Sequence, residues 1–374
     1  MKRKRFVMVV LVSLVSTLFF TTLLFAQEKI KVGFIGAMTG DSAVFGERCG
    51  EGFNMFWDEY NVKGGLKGKR IEVITDDDEG QPAKTINAAN KQLIKDEILV
   101  GFATTNTNTA LAVLPLFKKY GVAHVTQVFG AQVTKAGSPY VFRVAPVTDV
   151  FAHTCLKWAN EKNNVKEIAI ISDNGSYGQT VGDTWQQTAP LYGIKVVTRE
   201  LIKLGDKDFT GQLLKIKKLN PQMIVFNIGW EMTMGLLAKN IRKVGMDTPI
   251  LTGALDVPKF YEYGGEATNG TIIGLPFSGF ESSEGRRDFL KRFKAKFGKD
   301  PVVHNVWGYD AANVVAIGME NAYPTVTRES IYQGIKKISG VALLQGVYDY
   351  KNTQDGIKTS EIIKLVDGKM VHVQ

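Results

Sequence analysis

Short β-branched segments alternate with longer helical patterns along most of the chain, and this alternation constrains the fold more than any other feature. Residues 30–35 form an apolar run that ends at Gly36, which is typical of a strand buried in a parallel sheet. Further strands are predicted at 70–75, 98–102 and 122–126, with helices near 46–60, 82–94 and 109–120. Repeated βα units of this length favour right-handed crossovers and a doubly wound parallel sheet.

A second series of the same units begins after Asp149. Its strands are predicted at 167–171, 195–200, 222–228 and 249–252, with helices at 177–191, 209–219 and 231–244. The C-terminal part breaks the rhythm, with helices near 283–297, 305–321 and 327–338 and antiparallel strands at 362–365 and 369–373. Two series predict two sheets and two lobes. The C-terminal helices have no sheet of their own, so we expect them to return to the first lobe.

This arrangement requires three crossings between the lobes, which we place near 144–147, 273–277 and 345–349. Segments that cross side by side restrict relative motion to a hinge, which suits closure around a ligand. The sequence therefore predicts an α/β protein of two doubly wound parallel-sheet lobes. Lobe 1 is expected to comprise 27–146 and 277–347, and lobe 2 to comprise 147–276 and 348–374.

The N-terminus predicts export. Four basic residues follow Met1, and an apolar run from 6 to 25 ends beside the small residue Ala26. This pattern indicates a signal peptide at 1–26 that is cleaved after Ala26, which places the mature protein in the periplasm. The alternative is an uncleaved anchor helix, since the run approaches the ~20 residues that span a bilayer.

Charge and composition argue against a nucleic-acid partner. Subtracting the four basic residues of the signal from the formal net charge of +9 leaves +5, spread along the chain. Lysine-rich stretches such as 215–218 have the helical spacing of solvated faces. We therefore expect no nucleic-acid binding, and we expect a monomer.

Motifs for metal binding and catalysis are missing from the sequence. The four histidines and the two cysteines, Cys49 and Cys155, have none of the spacings of zinc sites. Residues 175–178 resemble a nucleophile elbow, but Asn174 stands where that motif requires glycine. No phosphate-binding or dinucleotide-binding glycine motif follows a strand. We predict no metal, no cofactor, no catalytic residues and no enzymatic activity.

Five segments, in this order and at this spacing, carry a resemblance to a known family: 30–40 (IKVGFIGAMTG), 64–69 (GGLKGK), 173–178 (DNGSYG), 206–210 before Asn220 and Pro221, and 305–312 (NVWGYDAA). The chain resembles the periplasmic leucine/isoleucine/valine-binding proteins of ABC importers, which have the type I topology of periplasmic binding proteins. The resemblance extends over essentially the whole mature chain. It implies a solute-binding protein that closes on a small carboxylate ligand, a branched-chain or other hydrophobic amino acid, and docks on membrane permease subunits.

The resemblance also implies a binding site. Members of the family hold the α-carboxylate and α-ammonium of an amino acid and pack its side chain against an aromatic wall. Residues 104–109 match the carboxylate-binding loop, with Thr105, Asn106 and Thr107 as the candidate ligand residues. Exposed amides at a helix start, backed by hydroxyls, suit an anion. The same cluster would also supply a helix cap from Asn108 or Thr109.

Other positions match the second binding loop and the pocket wall. Val128, Phe129 and Gly130 match the second loop, where the family usually has a small residue and a hydroxyl, so the ring of Phe129 is expected to line the pocket. Three more aromatic residues match the wall: Phe45, Tyr177 and Trp230. Together these rings predict an apolar cleft.

For the residue that pairs with the ligand ammonium, the sequence offers more than one candidate. The family's carboxylate aligns with Leu255, and Asp256 follows one residue later, so Asp256 binds the ammonium if the loop is shifted. Glu231, beside Trp230, is the substitute. If neither serves, an aromatic or aliphatic carboxylic acid without an amine is the expected ligand, since a buried ammonium needs a counter-charge. A ligand-sensing protein of a signalling system is the further alternative.

Overall fold

A computed structural model describes residues 29–253, 255–275, 277, 279, 283–358 and 360–373. The predicted signal peptide and its cleavage site lie outside these residues. The described part of the chain contains no helix that is both long and apolar enough to cross a membrane.

The first sheet contains five parallel strands in the order β2-β1-β3-β4-β5. The strands are β1 Lys29–Gly36, β2 Arg70–Asp77, β3 Val100–Ala103, β4 His124–Thr126 and β5 Val141–Arg143. The helices that connect them are α1 Ala43–Val62, α2 Pro82–Asn90 with a further turn Lys91–Lys95, α3 Thr107–Tyr120 and the short α4 Gln132–Lys135. Ile30 and the last five residues of β1 are buried, as expected for a central strand covered on both faces.

The second sheet repeats this order and adds two strands. Five parallel strands follow the order β7-β6-β8-β9-β10: β6 Glu167–Asp173, β7 Lys195–Ile202, β8 Met223–Asn227, β9 Ile250–Gly253 and β10 Ile272–Leu275. The helices of this lobe are α5 Thr148–Asn163, α6 Ser176–Thr188, α7 Thr210–Leu219, α8 Glu231–Lys243 and α9 Val257–Gly264. The doubly wound architecture predicted from the βα alternation is confirmed.

The C-terminal helices pack on the first sheet. They are α10 Glu284–Phe297, α11 Val303–Ala322 and α12 Arg328–Lys336. Phe289, Phe293 and Trp307 belong to the same buried cluster as the apolar residues of β1. Glycine allows α11 to approach α1 closely, because a Cβ atom on Gly308 would lie 1.9 Å from the carbonyl oxygen of Cys49.

The third crossing lies later in the chain than the predicted 345–349. A short antiparallel pair, β11 Val341–Ala342 and β12 Val347–Tyr348, precedes it. The hydroxyls of Tyr348 and Tyr350 donate to the carbonyls of Val144 and Arg143, at 3.1 and 2.7 Å. Since Ile357 also belongs to the first core, the predicted boundary at 347 is too early.

After this crossing the chain joins the second sheet. Strand β13 Glu361–Val366 pairs antiparallel with β10, and β14 Lys369–His372 pairs antiparallel with β13. The predicted antiparallel C-terminal strands are thus confirmed. Cys49 and Cys155 are unpaired thiols, buried in different clusters.

Candidate functional site

The topology of the two sheets brings four loops together. In a doubly wound sheet, ligands lie at the carboxyl ends of the strands where the strand order reverses. The order reverses between β1 and β3 in the first sheet and between β6 and β8 in the second. The segments that follow these four strands, together with the segment after β4, line one cavity of about 260 Å³.

The loop before α3 presents a helix start to this cavity. Thr105, Asn106 and Thr107 all line it, as predicted. The N-cap position of α3 is Asn106, and its side chain makes no capping hydrogen bond, so the predicted cap from Asn108 or Thr109 is wrong. The hydroxyl of Thr109 instead donates to the carbonyl of Asn106 at 2.8 Å. This hydrogen bond holds the loop before α3 in place on its buried side.

The second predicted loop is only partly exposed to the cavity. Val128 and Phe129 line it, whereas Gly130 does not. A Cβ atom on Gly130 would lie 2.8 Å from the methyl carbon of Thr107, so glycine lets the two binding loops pack against each other. Of the three predicted residues of this loop, Gly130 is thus the one that the structure places behind the cavity wall.

A buried arginine holds this loop in place. The Arg143 guanidinium is fully buried; it donates to the Val128 carbonyl and, at 3.0 Å, to the Gly130 carbonyl. Its Nε donates to Asp355 at 2.8 Å. Nothing near Arg143 in the sequence signals this role, because Asp355 is distant along the chain.

The four predicted rings all line the cavity, Phe45 and Phe129 from the first lobe and Tyr177 and Trp230 from the second. The centroids of Phe129 and Tyr177 are 6.4 Å apart, so the aromatic wall is continuous across the interface between the lobes. Phe129 also packs edge-on against Trp307 at 5.2 Å. The apolar part of the site therefore has the composition predicted from the sequence.

Glu231 supplies one of the two carboxylates at the cavity. Glu231 is the first residue of α8 and is buried, and its Oε1 accepts a hydrogen bond from the Asp256 amide at 3.0 Å. Burial raises the pKa of Glu231 to about 7, against the opposing effects of its backbone hydrogen bond and of Arg48.

Asp256, the other candidate partner for a ligand ammonium, does not line the cavity. Its side chain caps α9 by accepting from the Lys259 amide at 3.2 Å. It also forms an ion pair with Arg48 of α1. The carboxylate of Asp256, in the second lobe, therefore contacts the first lobe through Arg48.

A second carboxylate, Asp173 at the end of β6, organises the loops of the second lobe. Its two oxygens accept from the amides of Gly175 at 2.8 Å and Gly229 at 2.9 Å. Burial raises its pKa, and these backbone hydrogen bonds oppose the shift. Sequence reasoning missed this role, although a carboxylate at the end of a switch-point strand was a usable signal.

Sequence reasoning also missed Gln127 and His304, which both line the cavity. His304 Nδ1 lies 3.3 Å from Gln127 Oε1. The imidazole packs against Phe45 at 5.0 Å and Trp307 at 4.8 Å between ring centroids. Burial lowers the pKa of His304 to about 3, and positive Arg48 adds to this effect, so the imidazole is neutral.

Among the residues that the structure describes, no group of three or more histidine, cysteine, aspartate or glutamate side chains is arranged to hold a metal ion. The polar groups at the cavity are hydroxyls, amides, one imidazole and two carboxylates. Such a set can bind and orient a small polar molecule.

Comparisons with known proteins agree with this geometry. Residues 29–369 match the family model described as periplasmic binding protein. The Leu/Ile/Val-binding protein BraC3 of Rhizobium johnstonii is 28% identical over 362 residues, which cover 96% of this chain and 97% of that protein. The prediction of a binding protein rather than an enzyme agrees with this family.

Solved structures show the same fold. The leucine-binding protein LivK of Thermotoga maritima superposes with a TM-score of 0.83 at 24% identity, covering 92% of this chain and 98% of that one. A solute-binding protein of an ABC transporter from Rhodopseudomonas palustris, in complex with 3,4-dihydroxybenzoic acid, gives a TM-score of 0.81 at 22% identity, covering 92% and 96%.

Proposed function

Because the chain belongs to the periplasmic binding protein family, we propose that it is the extracytoplasmic solute-binding protein of an ABC importer and that it binds a hydrophobic amino acid. One observation carries this proposal: the charges at the helix starts around the cavity are divided between the lobes. The start of α3 carries no acidic residue in its first turn, whereas α8 begins with Glu231 and Asp173 precedes α6.

The ligand carboxylate is proposed to bind at the start of α3. Amides at a helix N-terminus carry partial positive charge and attract anions. Thr105 and Thr107, whose side chains carry hydroxyls, both line the cavity at this helix start. On the second lobe Glu231 and Asp173 would repel a carboxylate, which favours this orientation over the reverse.

The ligand ammonium is proposed to meet Glu231. Each oxygen of Asp173 accepts a hydrogen bond from a backbone amide, whereas only Oε1 of Glu231 accepts a protein hydrogen bond among the described residues. Oε2 of Glu231 is therefore the oxygen of these two carboxylates with the most hydrogen-bonding capacity left. A buried ammonium requires such a partner.

The proposed mechanism is closure around the ligand. The first lobe binds the carboxylate, and Tyr177 and Trp230 of the second lobe then cover the side chain. A ligand shifts this equilibrium only if it binds the closed form more tightly. The closed form is proposed to dock on permease subunits as a monomer in the periplasm, after cleavage of the signal at Ala26. The names of relatives such as the Leu/Ile/Val-binding protein of Rhizobium johnstonii support this class of ligand.

A second candidate is an aromatic acid without an amine. The carboxylate of Glu231 lies near Arg48 and accepts the Asp256 amide, so part of its charge is compensated without any ligand ammonium. The structural relative bound to 3,4-dihydroxybenzoic acid is consistent with this candidate.

A thermal-shift screen of the mature protein with amino acids and with aromatic and aliphatic acids tests the function. A true ligand raises stability by RT ln(1 + [L]/Kd) and stands out from the set. Calorimetry with Glu231→Gln then separates the candidates, since this change should weaken an amino acid at least tenfold and leave an amine-free acid nearly unchanged. If no acid of either class shifts the melting temperature, the proposal fails.

A further inference from the structure

Two polar side chains interrupt the apolar wall of the cavity. Gln127 and His304 have exposed fractions of 2% and 5%, and both line the cavity. They lie on different elements of the first lobe and contact each other at 3.3 Å. Their neighbours on this wall are rings, since Phe45 and Trp307 pack on the imidazole.

Each of the two side chains retains unused hydrogen-bonding capacity. Within the described part of the chain, neither His304 Nε2 nor Gln127 Nε2 has a hydrogen-bond partner, and the only polar contact of the pair is the one between them. If Gln127 Oε1 accepts from Nδ1–H of His304, the pair presents a lone pair on His304 Nε2 and the N–H groups of the amide. If the amide is reversed, the pair presents Nε2–H and a carbonyl oxygen. In either arrangement the Gln127–His304 pair offers the ligand both a hydrogen-bond donor and a hydrogen-bond acceptor.

We infer that Gln127 and His304 form a polar subsite that binds a hydroxyl group on the ligand side chain. A hydroxyl both donates and accepts one hydrogen bond, which matches what the pair offers. This inference rests on the proposed function and narrows the ligand to a hydroxylated member of the proposed class.

Other ligand groups fit this subsite less well. A purely apolar group would cover both polar atoms and leave them without partners, which typically weakens binding by about tenfold or more. A second carboxylate only accepts hydrogen bonds, so it would leave the acceptor of the pair without a donor. A cation is disfavoured because the positive Arg48 is close enough to act on His304.

Calorimetry on the mature protein with matched probe pairs tests the subsite. The pairs are tyrosine with phenylalanine, threonine with valine, and 4-hydroxybenzoate with benzoate. In at least one pair we expect the hydroxylated compound to bind roughly tenfold more tightly. His304→Phe and, as a second variant, Gln127→Leu should each reduce this preference to about twofold or less.

The control variant is His153→Phe, at an exposed histidine of α5 whose Nδ1 pairs with Tyr192 away from the cavity. It should retain the full preference, and thermal unfolding of all three variants establishes that they fold. Equal affinities within every pair, tighter binding of the apolar members, or a preference that survives both substitutions would overturn the inference. If no probe binds while another acid of the thermal-shift screen does, the inference is overturned and the proposed function stands; if no acid of that screen binds either, the proposed function itself has failed.

Discussion

Glu231 shows how one residue can be placed under opposing electrostatic effects. Its carboxylate lies in the first turn of α8, where the helix dipole favours a negative charge, and Arg48 favours the charge as well. Burial opposes both and has the largest effect, so the pKa rises to about 7. Ionising this carboxylate is therefore costly, and a ligand ammonium would offset the cost.

This pKa shift predicts a pH dependence of stability. The ordinary pKa of glutamate is 4.5, so between pH 4.5 and about 7 the folded protein binds more protons at Glu231 than the unfolded chain does. The contribution of Glu231 to the free energy of unfolding is fully present below pH 4.5. It is lost as the pH rises to about 7, and the free energy of unfolding falls by up to about 3 kcal/mol. Urea unfolding of the ligand-free protein at pH 5 and pH 8 measures it. Glu231→Gln should lack this component, and identical pH profiles for both proteins would contradict the shift.

Trp230 supplies a second prediction for a single residue. It covers the cavity from the second lobe, so Trp230→Ala should weaken ligand binding by about 2–3 kcal/mol through lost apolar burial and ring contacts. Calorimetry measures the change. The matched control is Trp158→Ala, on α5 of the same lobe, which packs beside a core cluster and does not line the cavity. Equal affinity of Trp230→Ala and the parent would remove Trp230 from the site.

At the scale of elements, the position of one binding loop depends on a segment from the other end of the chain. Arg143, the last residue of β5, holds the carbonyls of Val128 and Gly130 and is itself held by Asp355. A backbone bridge between Arg143 and Asp355 adds to this contact. The segment just before the third crossing thus supports the loop at Val128 and Gly130 through Arg143.

Asp355→Ala tests this support. Loss of the carboxylate leaves the buried guanidinium without its counter-charge, and we expect the free energy of unfolding to fall by about 2 kcal/mol and ligand affinity to fall with it. Chemical denaturation and calorimetry measure the two effects. Asp349→Ala, an exposed aspartate of the same segment, is the control and should leave affinity unchanged. A stability loss without any loss of affinity would show that the loop keeps its position without Asp355.

At the scale of the whole molecule, side-chain contacts between described residues of the two lobes lie around the cavity, an ion pair and a ring contact among them. The Arg48–Asp256 ion pair joins α1 of the first lobe to the start of α9 in the second. The Phe129–Tyr177 ring contact joins the lobes on the aromatic wall. In the described arrangement the two lobes therefore touch beside the cavity, and Asp256 takes part in one of these contacts.

Asp256→Asn should shift the protein toward the open form. The side chain of Asp256 is 1% exposed and that of Arg48 19% exposed, so loss of the pair should weaken ligand binding by about 1–2 kcal/mol. Because the effect acts through closure, it should be equal for amino acids and amine-free acids. Calorimetry measures affinity, and small-angle scattering measures the size of the ligand-free protein.

The control for this substitution is Asp300→Asn, which removes an exposed ion pair with Lys294 within the first lobe. It should change neither affinity nor size. A selective loss of amino-acid binding in Asp256→Asn would instead mean that Asp256 meets the ligand ammonium.

The sequence by itself determined the architecture and the region of the site. Apolar β-branched runs and helical patterns are local, so most strands and most helices could be predicted, and the βα alternation then implied two doubly wound sheets. Because ligands lie at the carboxyl ends of such strands, Thr107, Tyr177 and Trp230 could be placed near one cavity. Shorter elements such as β5 and α9 were not predicted, since they hold too few residues to show a period.

Only the tertiary structure decided which polar groups face the ligand. Glu231 and Asp256 follow different strands of the second lobe, and their roles depend on the position of Arg48 in the first lobe. The Arg143–Asp355 and Gln127–His304 contacts join residues far apart in the chain. Such pairings leave no local pattern, because a side chain finds its partner only when separate elements pack together.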